Sequence, residues 1–128
     1  MKYIYTAVFT EEDSKVYARI PDLPGCITTG KDLNDAIEAI TDAASGWLIT
    51  AEDHEDPIPE ASSQESIRDA YPGSFSLIRI DTLAYRAETD TRAVRKNVSL
   101  PAWMSNLAER RGINCSKVLQ EGILQRLS

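Results

Sequence analysis

The chain has one histidine and two cysteines in 128 residues, and each shortage removes a class of chemistry. His54 falls among acids at the expected end of a helix, where an imidazolium gains from the helix dipole. Nothing around it anchors a Ser-His-Asp or Cys-His arrangement. Cys26 and Cys115 match no metal-ligand or redox spacing, and as ordinary reduced thiols they suit the cytoplasm. No apolar run approaches the ~20 residues that span a bilayer. The opening MKYIYTAVFTEED lacks the apolar core and small-residue cleavage site of a secretory signal. A Gly-rich phosphate loop is also missing. The expectation is a cytoplasmic protein that is not an enzyme and uses no cofactor.

Basic charge is scarce in one part of the chain only. Residues 1–90 hold 7 Lys/Arg against 18 Asp/Glu, a balance of −11, whereas residues 91–128 hold 7 against 2, a balance of +5. So sharp a reversal points to two parts facing different partners. The acidic part repels nucleic acid and attracts a basic protein; the basic part attracts phosphate.

The acidic part reads as β-β-β-α-β. KYIYTAVF at 2–9 is rich in β-branched and aromatic residues, and VYARI at 16–20 is its returning partner across the turn TEEDSK. In PDLPGC, Pro24-Gly25 supplies the fixed and the positive φ of a type II turn, and a short strand CITTG follows. The period then changes. Leu33, Ile37, Ile40, Ala44, Trp47 and Ala51 share one helical face, with Asp32 as N-cap and an end near His54, before Pro57 and Pro59. Gly46 inside that helix costs roughly 1 kcal/mol relative to Ala, which marks a candidate point of close packing. Residues 57–73 read as loop with one short helical turn at 64–70, and FSLIRI at 75–80 as a strand. The result is an α+β layer, one sheet with one long helix on a face. The mostly polar LAYRAETDTRA (83–93) has no clear period and reads as a linker, which sets domain limits at 1–82 and 94–128.

This half resembles the N-terminal domain of the HicB antitoxin family in its opening hairpin, in IPDLPGCITTG, in the helix KDLNDAIEAITDA and in the Pro-Ile-Pro segment. The resemblance implies a partly degraded ribonuclease-H-like fold that binds and silences HicA, a small basic ribonuclease toxin. Retained nuclease activity is not expected. Two-metal hydrolysis needs carboxylates converging on ions about 4 Å apart, and the first strand, KYIYTAVFT, has no acid. Glu11, Glu12, Asp13 and Asp22 lie in turns, and Asp35, Glu38 and Asp42 form a solvated helical stripe. No metal site is expected.

The basic part carries the stronger signal. From Arg95 to Leu100 the residues alternate, with Arg95, Asn97 and Ser99 on one face and Lys96, Val98 and Leu100 on the other. Pro101 opens a helix whose apolar face holds Met104, Leu107 and Ala108, and Gly112 is a left-handed terminator after Arg110 and Arg111. Asn114, with Ser116 as the alternative, caps a second helix whose apolar residues are Val118, Leu119, Ile123 and Leu127. A strand and two helices in under 40 residues cannot build a core alone, and a lone strand has two open edges. Antiparallel pairing of two copies cures both defects, with Val98, Leu100, Met104, Leu107, Val118, Leu119 and Ile123 in a shared core.

Such a two-stranded ribbon fits the major groove of DNA, where arginine can read guanine, asparagine adenine, and serine either. The second helix presents its N-terminus to a phosphate, aided by Asn114, Ser116 and Lys117. RKNVSLP and RRGINCSKVLQEGIL resemble ribbon-helix-helix (β-α-α) repressors, the second in the form that HicB antitoxins carry. That resemblance implies base reading by Arg95, Asn97 and Ser99 and phosphate binding at the helix start, Asn114, Cys115, Ser116 and Lys117. Lys96 departs from the pattern, since it stands where the core face carries an apolar residue. The expected partners are a HicA-like ribonuclease toxin, double-stranded operator DNA and further copies of the chain, as a homodimer or higher homo-oligomer. The alternative is a stand-alone regulator whose N-terminal part senses another protein or ligand.

Overall fold

The computed structural model describes residues 1–128, and the chain divides into two compact units, Lys2–Arg86 and Ala87–Ser128. No helix is long and apolar enough to cross a membrane.

The first unit is a mixed α+β layer. Strands β1 (Lys2–Glu12), β2 (Lys15–Arg19), β3 (Ile27–Gly30) and β4 (Ser74–Asp81) form one sheet in the order β3-β2-β1-β4. All three pairings are antiparallel. The β1–β2 hairpin closes on Glu12↔Lys15 with a two-residue loop, Asp13 and Ser14, both at positive φ (52° and 63°). Positive φ at both central residues is the type I′ geometry whose twist matches that of the strands. The expected type II turn is present: Gly25 has φ 80°, and the Cys26 N–H donates to the Leu23 carbonyl at 3.0 Å.

Helix α1 (Leu33–Asp53) covers one face of the sheet. Alternation on β1 sends Tyr5, Ala7 and Phe9 toward the helix, where they meet Ala36, Ile40, Ala44 and Leu48 in the core. The buried stripe is thus rotated slightly from the sequence reading, since Leu33 is exposed and Leu48 is fully buried. Asp32 caps the helix by accepting the Asp35 N–H at 2.8 Å, and the helix ends at His54. Gly30 allows β3 to approach the start of α1, because a Cβ there would overlap the Ala36 backbone. Gly46 departs from expectation. A Cβ at that position would meet nothing within 4 Å, so no close packing inside the chain requires the glycine.

Helix α2 (Gln64–Ala70) buries Ile67, and its Arg68 guanidinium lies over the ring of Phe75 on β4, 5.6 Å from the centroid. The segment 83–93, read as linker, begins as helix α3 (Thr82–Thr89). Asp81 Oδ1 accepts the N–H groups of Leu83 and Ala84 at 3.1 and 3.2 Å, which starts the helix. The buried residue of α3 is Thr82, and hydrogen bonds tie the helix to α1, a link that hydrophobic periodicity does not report.

The second unit contains α4 (Ala102–Arg110) and α5 (Cys115–Leu127), and neither helix has a buried residue. Residues 90–101 adopt no regular secondary structure, so the strand expected at 95–100 is not formed within a single chain. A strand needs a neighbour for its N–H and C=O groups, and none is available inside so short a unit.

Candidate nucleic-acid interface and acidic face

The start of α5 is built by local rules. The α4 terminator is a complete Schellman arrangement: the Gly112 N–H donates to the Glu109 carbonyl at 3.2 Å, and the Ile113 N–H to the Ala108 carbonyl at 3.0 Å. Gly112 sits at φ 63°, the left-handed conformation that this motif needs. The chain then turns directly into the α5 cap, where Asn114 Oδ1 accepts the Lys117 N–H at 3.1 Å. The N-cap is therefore Asn114, not Ser116. The cap occupies the N–H of Lys117 and leaves those of Cys115 and Ser116 free at the positive end of the helix dipole. Arg110 and Arg111 lie just before this point, and all of these residues are exposed.

Arg95, Asn97 and Ser99 are exposed in the irregular segment before α4, as are their neighbours Val98 and Leu100. Met104, Leu107, Val118, Leu119 and Ile123, expected to share a core, are also each more than a third exposed. Trp103 at 63 % exposure, Ile113 and Leu124 add apolar surface that the sequence reading did not assign. Eleven large apolar side chains between Val98 and Leu127 thus have no interior to enter. For so short a segment this is far more exposed apolar surface than scattered single residues explain.

In the first unit the polar construction centres on Glu52. Its Oε2 accepts from the Tyr3 hydroxyl at 2.8 Å and from Thr82 Oγ1 at 3.0 Å, while its Oε1 accepts from Arg86 Nη2 at 3.1 Å. The same Arg86 nitrogen donates to Asp53 Oδ1 at 2.9 Å, and the Tyr85 hydroxyl donates to Asp42 Oδ1 at 3.0 Å. Burial works to raise the Glu52 carboxyl, but the hydrogen bonds from Tyr3, Arg86 and Thr82 outweigh it and hold the group below its ordinary value. Burial, followed by the hydrogen bond to Glu52, pushes Tyr3 up to about 12. Sequence reading missed this cluster because two of its members, Tyr85 and Arg86, fall in the supposed linker. No group of three or more His, Cys, Asp and Glu side chains is arranged to hold a metal ion.

A groove of about 520 Å³ runs between the PDLPGC turn and α1, with Cys26, Ile27, Gly46, Trp47 and Asp56 among its walls. Trp47 Nε1 donates to the Pro24 carbonyl at 2.9 Å, which pins the indole against the turn. Burial pushes the Cys26 thiol up.

Comparison with known proteins places these features in a family. The family model for "HicB_like antitoxin of bacterial toxin-antitoxin system" matches residues 5–121. UPF0150 protein Ta0767 of Thermoplasma acidophilum is 31 % identical over 62 residues, which cover 48 % of this chain and 90 % of that protein. A chain of a toxin–antitoxin complex from Streptococcus pneumoniae has a similar fold at TM-score 0.59 and 17 % identity, over 98 % of this chain and 99 % of that one. The antitoxin HicB of Burkholderia pseudomallei has a similar fold at TM-score 0.55 and 22 % identity, over 97 % and 96 % of the two chains.

Proposed function

This chain belongs to the HicB_like antitoxins of bacterial toxin–antitoxin systems, and from that premise we propose that it neutralises a HicA-type ribonuclease and represses its own operon. The first unit, on this reading a ribonuclease-H-like fold without the catalytic acids, binds the toxin and occludes its RNA-binding surface. The acidic balance of residues 1–90 supports capture of a basic protein by charge complementarity. The second unit is a ribbon-helix-helix half that becomes whole on pairing with a second copy.

One observation carries the DNA-binding part. Two amphipathic helices and an unpaired strand segment bury no residue in either helix, yet the segment is basic and its helix start is capped with free N–H groups facing outward. Pairing two copies supplies an interior for Val98, Leu100, Met104, Leu107, Val118, Leu119 and Ile123. It also forms the ribbon that presents Arg95, Asn97 and Ser99 to base edges. Cys115, Ser116 and Lys117, capped by Asn114, then clamp a phosphate. Affinity falls steeply with salt as neutralised phosphates release counterions.

The test is a gel-shift titration on the operator DNA upstream of the gene. Asn97→Ala weakens operator binding by about 1–3 kcal/mol without altering the circular dichroism of the protein. Unchanged operator affinity would sink the base-reading assignment. Toxin binding should survive in a fragment of residues 1–89, which keeps α3 and its ties to α1. A calorimetric titration in which that fragment fails to bind would overturn the division of labour.

A further inference from the structure

Between Lys31 and Arg68 the chain has no lysine or arginine, while ten Asp and Glu residues fall in the same interval. That stretch comprises α1, the loop after it and the start of α2. Arg86 forms ion pairs with it at Glu52 and Asp53, on the last turn of α1. The groove beside the PDLPGC turn has its α1 wall in this acidic stretch, and Asp56 lines it. Two further features are unexplained by the fold. Ile27, on the edge strand β3, is 60 % exposed in the groove wall. Gly46 carries the helix-interior cost of roughly 1 kcal/mol, yet a Cβ there would meet nothing within 4 Å. A glycine that no internal neighbour requires, on the wall of a groove, leaves room for something from outside the chain.

We propose that this groove is where the toxin docks: an apolar side chain of the basic partner seats between Ile27 and Trp47 over the bare backbone at Gly46. Flanking Lys or Arg residues of that partner meet Asp56 and the carboxylates along α1. The pinned indole of Trp47 supplies a rigid aromatic wall, the kind of preorganised anchor on which interface energy concentrates. The acidic surroundings speed encounter and select against acidic partners. This inference rests on the toxin-binding reading above and adds the surface that does the binding.

The experiment titrates the full-length chain by calorimetry with the purified toxin encoded in the adjacent reading frame. Gly46→Leu fills the groove mouth and replaces a poor helix former with a good one. It is expected to weaken toxin binding by about 30-fold or more while the thermal midpoint stays at or above that of the wild type. Ile27→Lys, a change at an exposed site that also adds a repelling charge, is expected to act in the same direction. Leu77→Lys serves as the control, since Leu77 is exposed on β4 at the opposite edge of the sheet; it should leave affinity within about 2-fold. Wild-type affinity in both groove variants, or loss confined to Leu77→Lys, overturns the groove. If the wild-type chain itself does not bind the toxin, the functional reading falls and the groove assignment with it.

Discussion

At the residue scale, Glu52 is the best example of a group whose surroundings set its charge. It collects hydrogen bonds from β1 through Tyr3 and from α3 through Thr82 and Arg86. Two pH windows follow from the shifts. The Glu52 carboxyl is held below its ordinary value, so its contribution to stability is complete above that value and is lost as pH falls through the folded one. Tyr3 is displaced the other way, from 10.0 to about 12. Its contribution is whole below pH 10 and is lost as pH rises through about 12, because burial first, and then the Glu52 carboxylate, resist ionising the phenol in the folded state. Urea denaturation at a series of pH values checks this. Tyr3→Phe should lower stability at neutral pH and make its decline between pH 10 and 12 shallower than in the wild type. An equally steep decline in the variant would remove Tyr3 from the account.

Single elements show which sequence signals survive folding and which do not. The β1–β2 hairpin places two non-glycine residues at positive φ, a strained choice that glycine relieves. Ser14→Gly should therefore stabilise the first unit by about 0.5–1 kcal/mol, read as a higher urea midpoint with unchanged slope. Helix α1 was legible almost in full, since Asp32, His54 and a long apolar period all report the same helix. The α4 terminator at Gly112 and the α5 cap at Asn114 were legible for the same reason: capping is local chemistry. Helix α3 was not, because Asp81 and polar contacts to Asp42, Glu52 and Asp53 hold it, and these depend on residues some 30–40 positions away. Gly46 was misread as a site of close approach, for a helix-interior glycine signals space without saying which molecule fills it. The strand at 95–100 was read from its alternation, but alternation does not supply a pairing partner. Of the proposed contact surfaces, the basic strand and helix start were visible in sequence. The groove was not, since its walls come from residues 25–27 and 43–57.

For the whole molecule, the two units differ most in how they hold themselves together. Residues Lys2–Arg86 enclose a continuous core around Ile40, Leu48 and Ile80. Residues Ala87–Ser128 expose the apolar faces of both helices. On the ribbon-helix-helix reading, Leu119→Asp places a charge in the shared interior, where an unpaired carboxylate is costly. The expected outcome is a shift to monomers in analytical ultracentrifugation and loss of the gel shift, while toxin binding by the first unit persists. A variant that stays dimeric would place the shared core elsewhere.

On the function proposed above, a DNA-binding unit with no interior of its own also has a consequence for gene dosage. Its folding becomes a second-order process, so the concentration of dimers able to hold an operator varies with the square of chain concentration when the chain is scarce. Halving the amount of protein then removes about three quarters of the assembled dimers at that limit. The first unit, folding alone, loses only half of its sites. As the chain runs short, silencing of the operon would lapse before capture of the toxin does, and renewed synthesis would begin while some protection remains.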